Sequence, residues 1–547
     1  MKDSRDPVNA PFWLMLSIVA IGLIGASMAP GDRSLGSTSA SIPVVEGPSG
    51  IAEEGDPITV RSTGGGDLLV SIGAEDPARS GTEFRSKVST DHAAASRILA
   101  IPLAMQWRHP KAGLPAAQIV KAAEIDPLGR IGPRKVRTFL FHDHGDLPVI
   151  SLVADHNALF SADSGIMVVG NYYLRAEEKD LRSYQRDPRW WKYPGNFMGR
   201  GKEWQRDGHL EFFDRDGQPA TSAEVGVRIN GQMTRGFPQH ALRLLFNSPF
   251  DPWNEGIAGY RSMVLRAAGN DQIKAMMRDA FQQELCADLP FEVSKAWPAV
   301  LYINGAYWGV HHLRERIDDD ELARRYSIPA KQITILEDAV ALYKGDRQQV
   351  QEFTRLLAQV ENGSMDMDRL RGAMDVDGFL AYMASQMILG NMDWPEQNVK
   401  YWRFTGEKGE GVRDGRWYFI MGDSDLSFGA NASPGTDPFI RVRNSSAPIA
   451  RLFRAMMRDP GIQQAFERKM DQLMEGELST ARMLEGIDRM VALIGPEMDR
   501  HTARWRKPAD RAAWEREVQV MRDFARRRAA VVKERSASIG NIFAQEQ

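Results

Sequence analysis

The stretch GNMDWPEQNVKYWRF, residues 390–404, lies between an apolar helical pattern and an alternating strand pattern. Asp393 and Asn398 are five residues apart within it, and the strand pattern after Asn398 runs into the polar turn TGEKGEGVRDG. A second strand pattern, RWYFIMG, then leads to Asp423 and Asp425. The sequence therefore predicts a hairpin with acidic and amide side chains at its strand ends.

This order of side chains suits phosphoryl transfer. A carboxylate is needed to orient or deprotonate an acceptor hydroxyl, and hard oxygen ligands are needed to hold Mg²⁺ on the nucleotide phosphates. Protein kinases supply these groups from an Asp-x-x-x-x-Asn loop, a hairpin and an aspartate just after it. The tripeptide His-Arg-Asp is missing, because Met392 precedes Asp393. Each motif alone is also typical of a turn or strand-end cap, so both interpretations stand.

An upstream stretch, AEVGVRINGQMTRGFPQHALRLLF, predicts two strands around a glycine-containing loop. Gly231 and Thr234 lie in that loop, where backbone N–H groups can face an anion. Arg228, Arg235 and Arg243 add guanidinium groups, which suit bidentate phosphate contacts. The alternatives are a phosphate site and an ordinary surface hairpin.

The composition narrows the class of protein. The chain has 547 residues, of which 43% are hydrophobic and 26% charged, so several globular domains are expected. The formal net charge of -3 gives no global basic field, and no nucleic-acid partner is expected. The single cysteine, Cys286, excludes an intramolecular disulfide.

The N-terminus predicts export or membrane attachment. PFWLMLSIVAIGLIGASMA is uncharged and apolar, and Lys2 and Arg5 precede it. We expect a signal peptide or an N-terminal membrane anchor, and we favour an uncleaved anchor because Pro30 would follow the cut. The Gly/Ser/Thr/Pro-rich stretch after it predicts a disordered linker.

Four separated motifs carry a family resemblance. DWPEQNVKYWRF, YINGAYWGVHHLRERID, VRINGQMTRGFPQHALRL and LPVISLVAD occur in residues 145–430, and together they resemble the spore coat protein H (CotH) kinase family. This family comprises secreted or surface proteins with a divergent protein-kinase fold. The segment 98–141 is similar to the small β-sandwich that often precedes the kinase-like domain in bacterial members.

The resemblance implies roles for individual residues. Asp393 would be the catalytic aspartate, and Asn398, Asp423 and Asp425 would bind the metal. The implied cofactors are ATP with Mg²⁺ or Mn²⁺. Members often carry a lysine in the strand after the glycine loop, where this chain has His240 and Arg243, so an arginine would replace it. The expected nucleotide-binding residues are Arg228, Gly231, Thr234, Arg235 and Arg243, together with Glu284 as a helical partner for such an arginine.

The expected fold class is α+β, with a divergent, two-lobed, protein-kinase-like fold preceded by a small β-sandwich and followed by C-terminal helices. The expected domains are 1–29 signal peptide or membrane anchor, 30–90 disordered linker, 91–145 small β-sandwich, 146–440 CotH-like kinase domain and 441–547 C-terminal helical extension.

The expected function is an exported or membrane-anchored atypical kinase that transfers the γ-phosphoryl group of ATP to Ser or Thr of a surface or envelope protein. Its location would be extracytoplasmic, in a bacterial envelope, and its partners would be that protein substrate and the membrane. Two alternatives stand beside it. One is a non-catalytic envelope or matrix binding protein, which a shortage of ATP outside the cytoplasm favours. The other is a carbohydrate-directed kinase, which the aromatic content permits.

Overall fold

The computed structural model describes residues 41–74, 78–172, 189–252, 259–536 and 539. The expected signal peptide or anchor lies outside these residues, as does the start of the expected linker. Among the residues that are described, no helix combines the length and the apolar character that a membrane crossing needs. Sheets and helices are both extensive, so the α+β class is confirmed.

The first described part is a pair of small sheets. Its strands are β1 (Val44–Glu46), β2 (Pro57–Arg61), β3 (Asp67–Ile72), β4 (Ala78–Gly81), β5 (Glu83–Lys87), β6 (Ala117–Ile125) and β7 (Lys135–Leu140). Helix α1 (His92–Leu99) lies between β5 and β6. One sheet has the order β1-β2-β5 and the other β4-β3-β6-β7. Ile58 and Val60 of the first sheet share a core with Leu68, Val120 and Phe139 of the second.

These sheets correct the expected linker. The prediction of disorder for 30–90 is wrong for its described residues from 41 onward, because five strands lie there. The Gly, Ser and Pro residues that suggested disorder form the turns, and short alternating runs such as PITVR and DLLVSI supply the buried side chains. Strand structure therefore begins at Val44, well before the expected sandwich boundary at residue 91.

The central part contains a closed seven-stranded barrel. Its strands are β8 (Val149–Ala154), β9 (Arg206–Phe213), β10 (Pro219–Asn230), β11 (Ala241–Phe250), β12 (Tyr260–Arg266), β13 (Ala296–Ile303) and β14 (Ala306–Glu315). They close in the order β10-β11-β12-β14-β13-β8-β9. All neighbours are antiparallel except β8 and β13. Individual strands follow from the sequence pattern, but the closure into a barrel was not predicted.

Several arginines lie side by side on neighbouring strands of the barrel. The register places Arg228 of β10 opposite Arg243 of β11, which pairs in turn with Val264 of β12, and Val264 pairs with Arg314 of β14. Arg266 follows Val264 by two residues and therefore points to the same side of the sheet. Helix α3 (Arg278–Leu285) brings an acidic side chain, Asp279, to Arg266 and Arg314. The register thus lines up cations that are up to 86 residues apart in the chain.

A four-stranded sheet follows, with the order β16-β15-β17-β18. Its strands are β15 (Ile333–Glu337), β16 (Ala341–Lys344), β17 (Val399–Phe404) and β18 (Tyr418–Met421). Helix α4 (Asp319–Tyr326) lies between β14 and β15. Three helices lie between β16 and β17, namely α5 (Gln348–Glu361), α6 (Met367–Ala373) and α7 (Val376–Leu389). The short helix α2 (His156–Phe160) follows β8 of the barrel. Helix α7 is buried on almost every side, as its uniformly apolar sequence predicts.

The C-terminal part is helical. Its helices are α8 (Ile440–Asn444), α9 (Pro448–Met456), α10 (Pro460–Glu475), α11 (Thr480–Ile494), α12 (Met498–Trp505) and α13 (Arg511–Ser536). One apolar core includes Leu244 of the barrel, Ile388 of α7 and Phe524 of α13. The C-terminal helices therefore complete the core that supports the candidate site.

Candidate active site

The loop that carries Asp393 is fixed to the end of α7. Gly390 ends this helix in the left-handed region with φ of 66°. The Asp393 backbone N–H donates to Oδ1 of Asn391 (3.2 Å), and Nδ2 of Asn391 donates to Oε1 of Gln386 (2.8 Å). The buried Trp394 donates from Nε1 to the Tyr382 hydroxyl (3.0 Å). These contacts fix the position of Asp393 relative to the core.

Asn398 lies beside the Asp393 carboxylate. Its Nδ2 donates to Oδ2 of Asp393 over 2.9 Å, and its backbone has φ of 62°, a conformation that asparagine tolerates well. Burial and the nearby Asp423 raise the pKa of Asp393, while the Asn398 hydrogen bond acts in the opposite direction. Asp393 is therefore a half-buried carboxylate with increased basicity.

Strand pairing brings Asn398 and Asp423 to one end of the sheet. Val399 of β17 pairs with Met421 of β18, so the residues flanking this pair lie together. A Cβ atom at Gly422 would lie 2.1 Å from the Asn398 carbonyl oxygen. Only glycine permits the two backbone segments to approach so closely, and this approach sets the position of the next residue, Asp423.

Arg266 links the two aspartates that follow β18. Its Nη2 donates to Oδ1 of Asp423 (2.6 Å) and to Oδ2 of Asp425 (3.0 Å). Its Nε lies 3.5 Å from Oδ2 of Asp279. Burial by itself would lower the pKa of Arg266, but Asp423, Asp279 and Asp425 raise it above the ordinary value. Arg266 is therefore a permanent cation at the junction of barrel and sheet.

Asp425 is buried and fully engaged. Its Oδ2 also accepts from the backbone N–H of Asn270 (2.7 Å), and its Oδ1 accepts from Asn270 Nδ2 (3.1 Å). Burial and the charge of Asp423 raise the pKa of Asp425 well above the ordinary value, against the effect of Arg266. Its hydrogen bonds show that Asp425 holds Arg266 and the Asn270 turn in place.

Asp279 closes the charge network from the barrel side. Its Oδ2 forms an ion pair with Arg314, and its Oδ1 accepts from the Ser424 backbone N–H (3.0 Å) and hydroxyl (3.1 Å). Burial would raise the pKa of Asp279, but Arg314 and Arg266 lower it below the ordinary value. Helix α3 thereby ties two barrel arginines to the segment that carries Asp423.

The oxygen donors fit a hard divalent cation. Asn398 uses its amide nitrogen on Asp393, which leaves Oδ1, and Asp423 uses Oδ1 on Arg266, which leaves Oδ2. Neither remaining oxygen accepts a hydrogen bond from the described residues. Amide and carboxylate oxygens are the ligands that Mg²⁺ and Mn²⁺ prefer. Asp425 was expected as a third ligand, but both of its oxygens are occupied in this structure.

The loop arginines predicted to bind phosphate have other contacts. Arg228 donates to Oε1 of Gln205 (2.7 Å from Nη2), and Nη2 of Arg243 lies 3.9 Å from Oδ2 of Asp318. Arg235 is buried, and it donates to four backbone carbonyls in or next to the loop. Among the described residues, none of the three arginines contacts Asp393, Asp423 or Asp425.

The glycine-containing loop folds around Arg235. Gly231 has φ of 100°, and its carbonyl accepts from Nε of Arg235 at 2.7 Å. Thr234 begins a turn in which the Phe237 backbone N–H donates to the Thr234 carbonyl (3.1 Å). The loop is thus a compact turn with an internal cation.

Glu284 does not pair with a barrel arginine. It is exposed and accepts from Nη2 of Arg489 at 2.7 Å. Asp279, five residues earlier in the same helix, makes the contact that was expected of Glu284. Sequence reasoning also missed the roles of Arg266 and Asn270, for which the available signal was a charged residue at the end of an apolar strand pattern, followed by Asn270.

A second cluster of acidic residues is separate from the Asp393, Asn398 and Asp423 group. Asp318, Asp319 and Asp320 each place one carboxylate oxygen within 4.8 Å of the others. Asp318 caps α4 and pairs with Arg316, and Asp319 pairs with Lys344 at 3.1 Å. These partners account for two of the three carboxylates, and we assign no metal to this group.

Comparison with known families agrees with the motifs. The family model described as "CotH kinase protein" matches residues 227–532, which is more than half of the chain and includes Arg266, Asp393 and Asp423. The chain belongs to the CotH kinase protein family, and the resemblance noted from the sequence is confirmed. No curated protein matches the chain.

Proposed function

We propose that this protein is an ATP-dependent kinase that transfers the γ-phosphoryl group to a Ser or Thr hydroxyl of a protein. The observation that carries the proposal is the Asp393–Asn398 hydrogen bond beside Asp423. Membership of the CotH kinase protein family supports the reaction class. The same three side-chain types perform phosphoryl transfer in protein kinases.

In this proposal Asp393 accepts the proton of the acceptor hydroxyl. A general base works best when its pKa lies near the operating pH, and the raised pKa of Asp393 moves it in that direction. The hydrogen bond from Asn398 fixes one carboxylate oxygen, Oδ2. The other oxygen, Oδ1, has only a long contact of 3.5 Å from Gln397 and is available to the hydroxyl.

Asn398 Oδ1 and Asp423 Oδ2 would hold Mg²⁺ or Mn²⁺. When bound, such an ion would supply positive charge against the nucleotide phosphates during transfer. Asp425 has a different role in the proposal, because it orients Arg266 and the Asn270 turn. This role would make Asp425 a positioning residue, in contrast to the ligand role that the sequence predicted.

Arg266 takes the place of the kinase lysine in this proposal. It contacts Asp423, and it lies 3.5 Å from a helical acid, Asp279. That arrangement resembles the lysine–glutamate ion pair of protein kinases, with both residue types replaced. Its Nη1 has no hydrogen-bond partner among the described residues and is not among the buried unpaired atoms, so it is free to contact a phosphate.

The two-lobed kinase-like architecture also belongs to the proposal. Its support is that Arg266 and Asp279 come from the barrel and α3, whereas Asp393, Asn398 and Asp423 come from the sheet and its loops. Nucleotide and acceptor would meet where these two parts join. A protein that only binds its partner would not need a basic carboxylate, Asp393, beside the unoccupied oxygens of Asn398 and Asp423.

We further propose that the protein acts outside the cytoplasm, anchored or secreted through its N-terminal segment, on an envelope protein. The support is the uncharged stretch in residues 11–29. A C-terminal alkaline phosphatase fusion should be active in the periplasm. Inactivity of that fusion, with activity of a cytoplasmic reporter at the same position, would contradict this location.

The acceptor class is tested with labelled ATP. The purified protein is incubated with γ-labelled ATP, Mn²⁺ and an envelope extract, and the products are hydrolysed for phosphoamino-acid analysis. Phosphoserine or phosphothreonine is the expected product. Label in acid-stable sugar phosphates would support the carbohydrate-directed alternative, and absence of both label and ATP-dependent thermal stabilisation would support the binding protein.

A further inference from the structure

Arg504 is a buried charge without a partner. It lies in α12 with a relative exposure of 0%. Nε, Nη1 and Nη2 of this side chain have no hydrogen-bond partner among the described residues. Burial lowers the pKa of Arg504 to about 9, and no carboxylate raises it. The side chain still carries its charge at neutral pH, because that pKa lies above 7.

Other buried arginines of this chain are paired. Arg235 and Arg528 each donate to four backbone carbonyls. Arg278 binds the carboxylates of Asp271 (2.5 Å) and Glu517 (3.0 Å). Burying a guanidinium without hydrogen-bond acceptors or a counter-charge is strongly unfavourable. Arg504 therefore lacks the carbonyl or carboxylate acceptors that Arg235, Arg278 and Arg528 have.

The Arg504 guanidinium lies over the faces of two indole rings, whose planes are nearly perpendicular to each other. Its Cζ lies 4.5 Å from the ring centroid of Trp308 and 4.1 Å from that of Trp505. Contacts of this kind attract a cation through the ring faces. These contacts supply no oxygen or nitrogen acceptor, so the guanidinium N–H groups have none among the described residues.

His501 adds another donor to the same place. It precedes Arg504 by three residues in α12, so both side chains lie on one helix face. Its Nδ1 accepts from the Val310 backbone N–H (3.1 Å), which leaves the proton on Nε2. That Nε2 is buried and unpaired, as is Nε1 of Trp308. The cluster is therefore rich in donors and carries one positive charge.

The missing partner must be a small anion. Water would satisfy N–H groups but would not neutralise the charge. Arg504, His501 and Trp308 are all 0% exposed, so the partner must fit between buried side chains, which favours a small ion over an organic ligand. We propose that Arg504, with His501, binds a monovalent halide such as chloride where α12 packs on β14.

The proposed site also adjoins the glycine-containing loop. Nε2 of Gln239, at the end of that loop, donates to the Val310 carbonyl (2.9 Å), and the Val310 N–H is the group that orients His501. The anion would thus attach the C-terminal helices to the barrel strand behind the loop. This inference does not depend on the proposed kinase activity.

A crystallographic test uses bromide. Crystals of the purified protein are grown or soaked in sodium bromide, and anomalous differences are measured at the bromine edge. A bromide peak within about 3.5 Å of the Arg504 nitrogens is expected from the length of charge-assisted hydrogen bonds to a large anion. Ordered water without anomalous signal, or an empty position, would overturn the proposal.

A solution test uses thermal unfolding at constant ionic strength, with bromide replacing gluconate. The wild-type midpoint should rise and saturate with bromide, because a ligand that binds only the folded state stabilises it. Arg504→Met should lose this rise, whereas Arg489→Met, which removes an exposed arginine, should retain it. A saturable rise in Arg504→Met would contradict the assignment. If Arg504→Met does not fold, the anomalous signal of the wild type decides alone.

Discussion

Asn398 donates a hydrogen bond of 2.9 Å from Nδ2 to Oδ2 of Asp393. The amide nitrogen is thereby used on the proposed base, and the amide oxygen is left for a metal ion. One side chain thus fixes the carboxylate orientation and supplies a ligand atom. The adjoining Gly422 makes this possible, because its missing side chain lets Asp423 come up beside Asn398.

Asn398→Ala should shift the pH dependence of phosphoryl transfer. The hydrogen bond opposes the rise in the pKa of Asp393, so its loss should raise that pKa further. The base must be ionised, and activity falls as pH drops through its pKa. The acidic limb of kcat/KM against pH should therefore move to higher pH in the variant, with a rate loss of about 10²-fold or more from the missing base alignment and the missing metal ligand together.

The control for this change is Gln397→Ala. Gln397 is exposed and makes only a 3.5 Å contact with Asp393, so its removal should leave the acidic limb in place. A pH profile of Asn398→Ala that matches the wild type at a reduced rate would show that Asn398 does not influence the base.

Asp393→Asn should stabilise the protein at neutral pH. A carboxylate whose pKa is raised on folding binds its proton more tightly in the folded state. Wild-type stability therefore falls as pH rises from the ordinary aspartate pKa to the raised value, and levels off above it. The neutral amide avoids this penalty, so the variant should be more stable at neutral pH, by a margin that solvent screening of the half-exposed carboxylate keeps small.

Chemical denaturation of both proteins between pH 4 and 8 measures this difference. The gap should be small at the acidic end, should widen as the pH rises through the raised pKa of Asp393, and should then level off. A gap of constant size, or a less stable variant at pH 8, would contradict the raised pKa.

Arg266→Met should destabilise the fold strongly. The change leaves Asp423, Asp425 and Asp279 without the cation they share, and removing one partner of a buried ion pair costs about 3–5 kcal/mol. Arg228→Met is the matched control, because Arg228 lies on the same side of the barrel sheet and bonds only to Gln205. Denaturant midpoints of the two variants give the comparison, and equal losses would contradict the network.

Arg528→Met should also be costly, because Arg528 is buried although the adjacent Arg526 and Arg527 are exposed. Arg528 donates to the carbonyls of Met387 and Ile388 at the end of α7, and to those of Pro434 and Thr436. Buried carbonyls left unpaired cost about 1–3 kcal/mol each, so a loss of several kcal/mol is expected.

The neighbouring Arg526→Met serves as the control for Arg528. Arg526 is half exposed and pairs only with Asp523, so its loss should change the free energy of unfolding by about 0.5 kcal/mol or less. The two free energies are measured by urea denaturation. A similarly small change in the free energy of unfolding of both variants would show that Arg528 does not support the Asp393 loop.

The sequence predicts the local part of the site well. Asp393, Asn398 and Asp423 lie within 31 consecutive residues, and strand periodicity fixes the hairpin that joins them. The apolar pattern of α7 and the Gly390 that ends it are equally local. These features depend on backbone conformation and alternation, which neighbouring residues determine.

The remaining part of the site depends on contacts between distant segments. Arg266 and Asp279 reach Asp423 only because the barrel closes and α3 packs against it, and neither event has a short motif. Arg235 seemed suited to phosphate, but it donates to the Gly231 carbonyl of its own loop and to carbonyls of β10 and of residues 197–199. A guanidinium has several possible partners of similar chemistry, and only the tertiary fold selects among them.

The central claim is that Asp393 and Asp423 carry phosphoryl transfer. The most direct test measures transfer from γ-labelled ATP to a protein acceptor in the presence of Mn²⁺, with wild type, Asp393→Asn, Asp423→Asn and, as a surface control, Asp368→Asn. We expect transfer by the wild type and Asp368→Asn, and a loss of at least about 10³-fold in both site variants, which retain their fold by circular dichroism. Equal transfer by Asp393→Asn and the wild type would contradict the account.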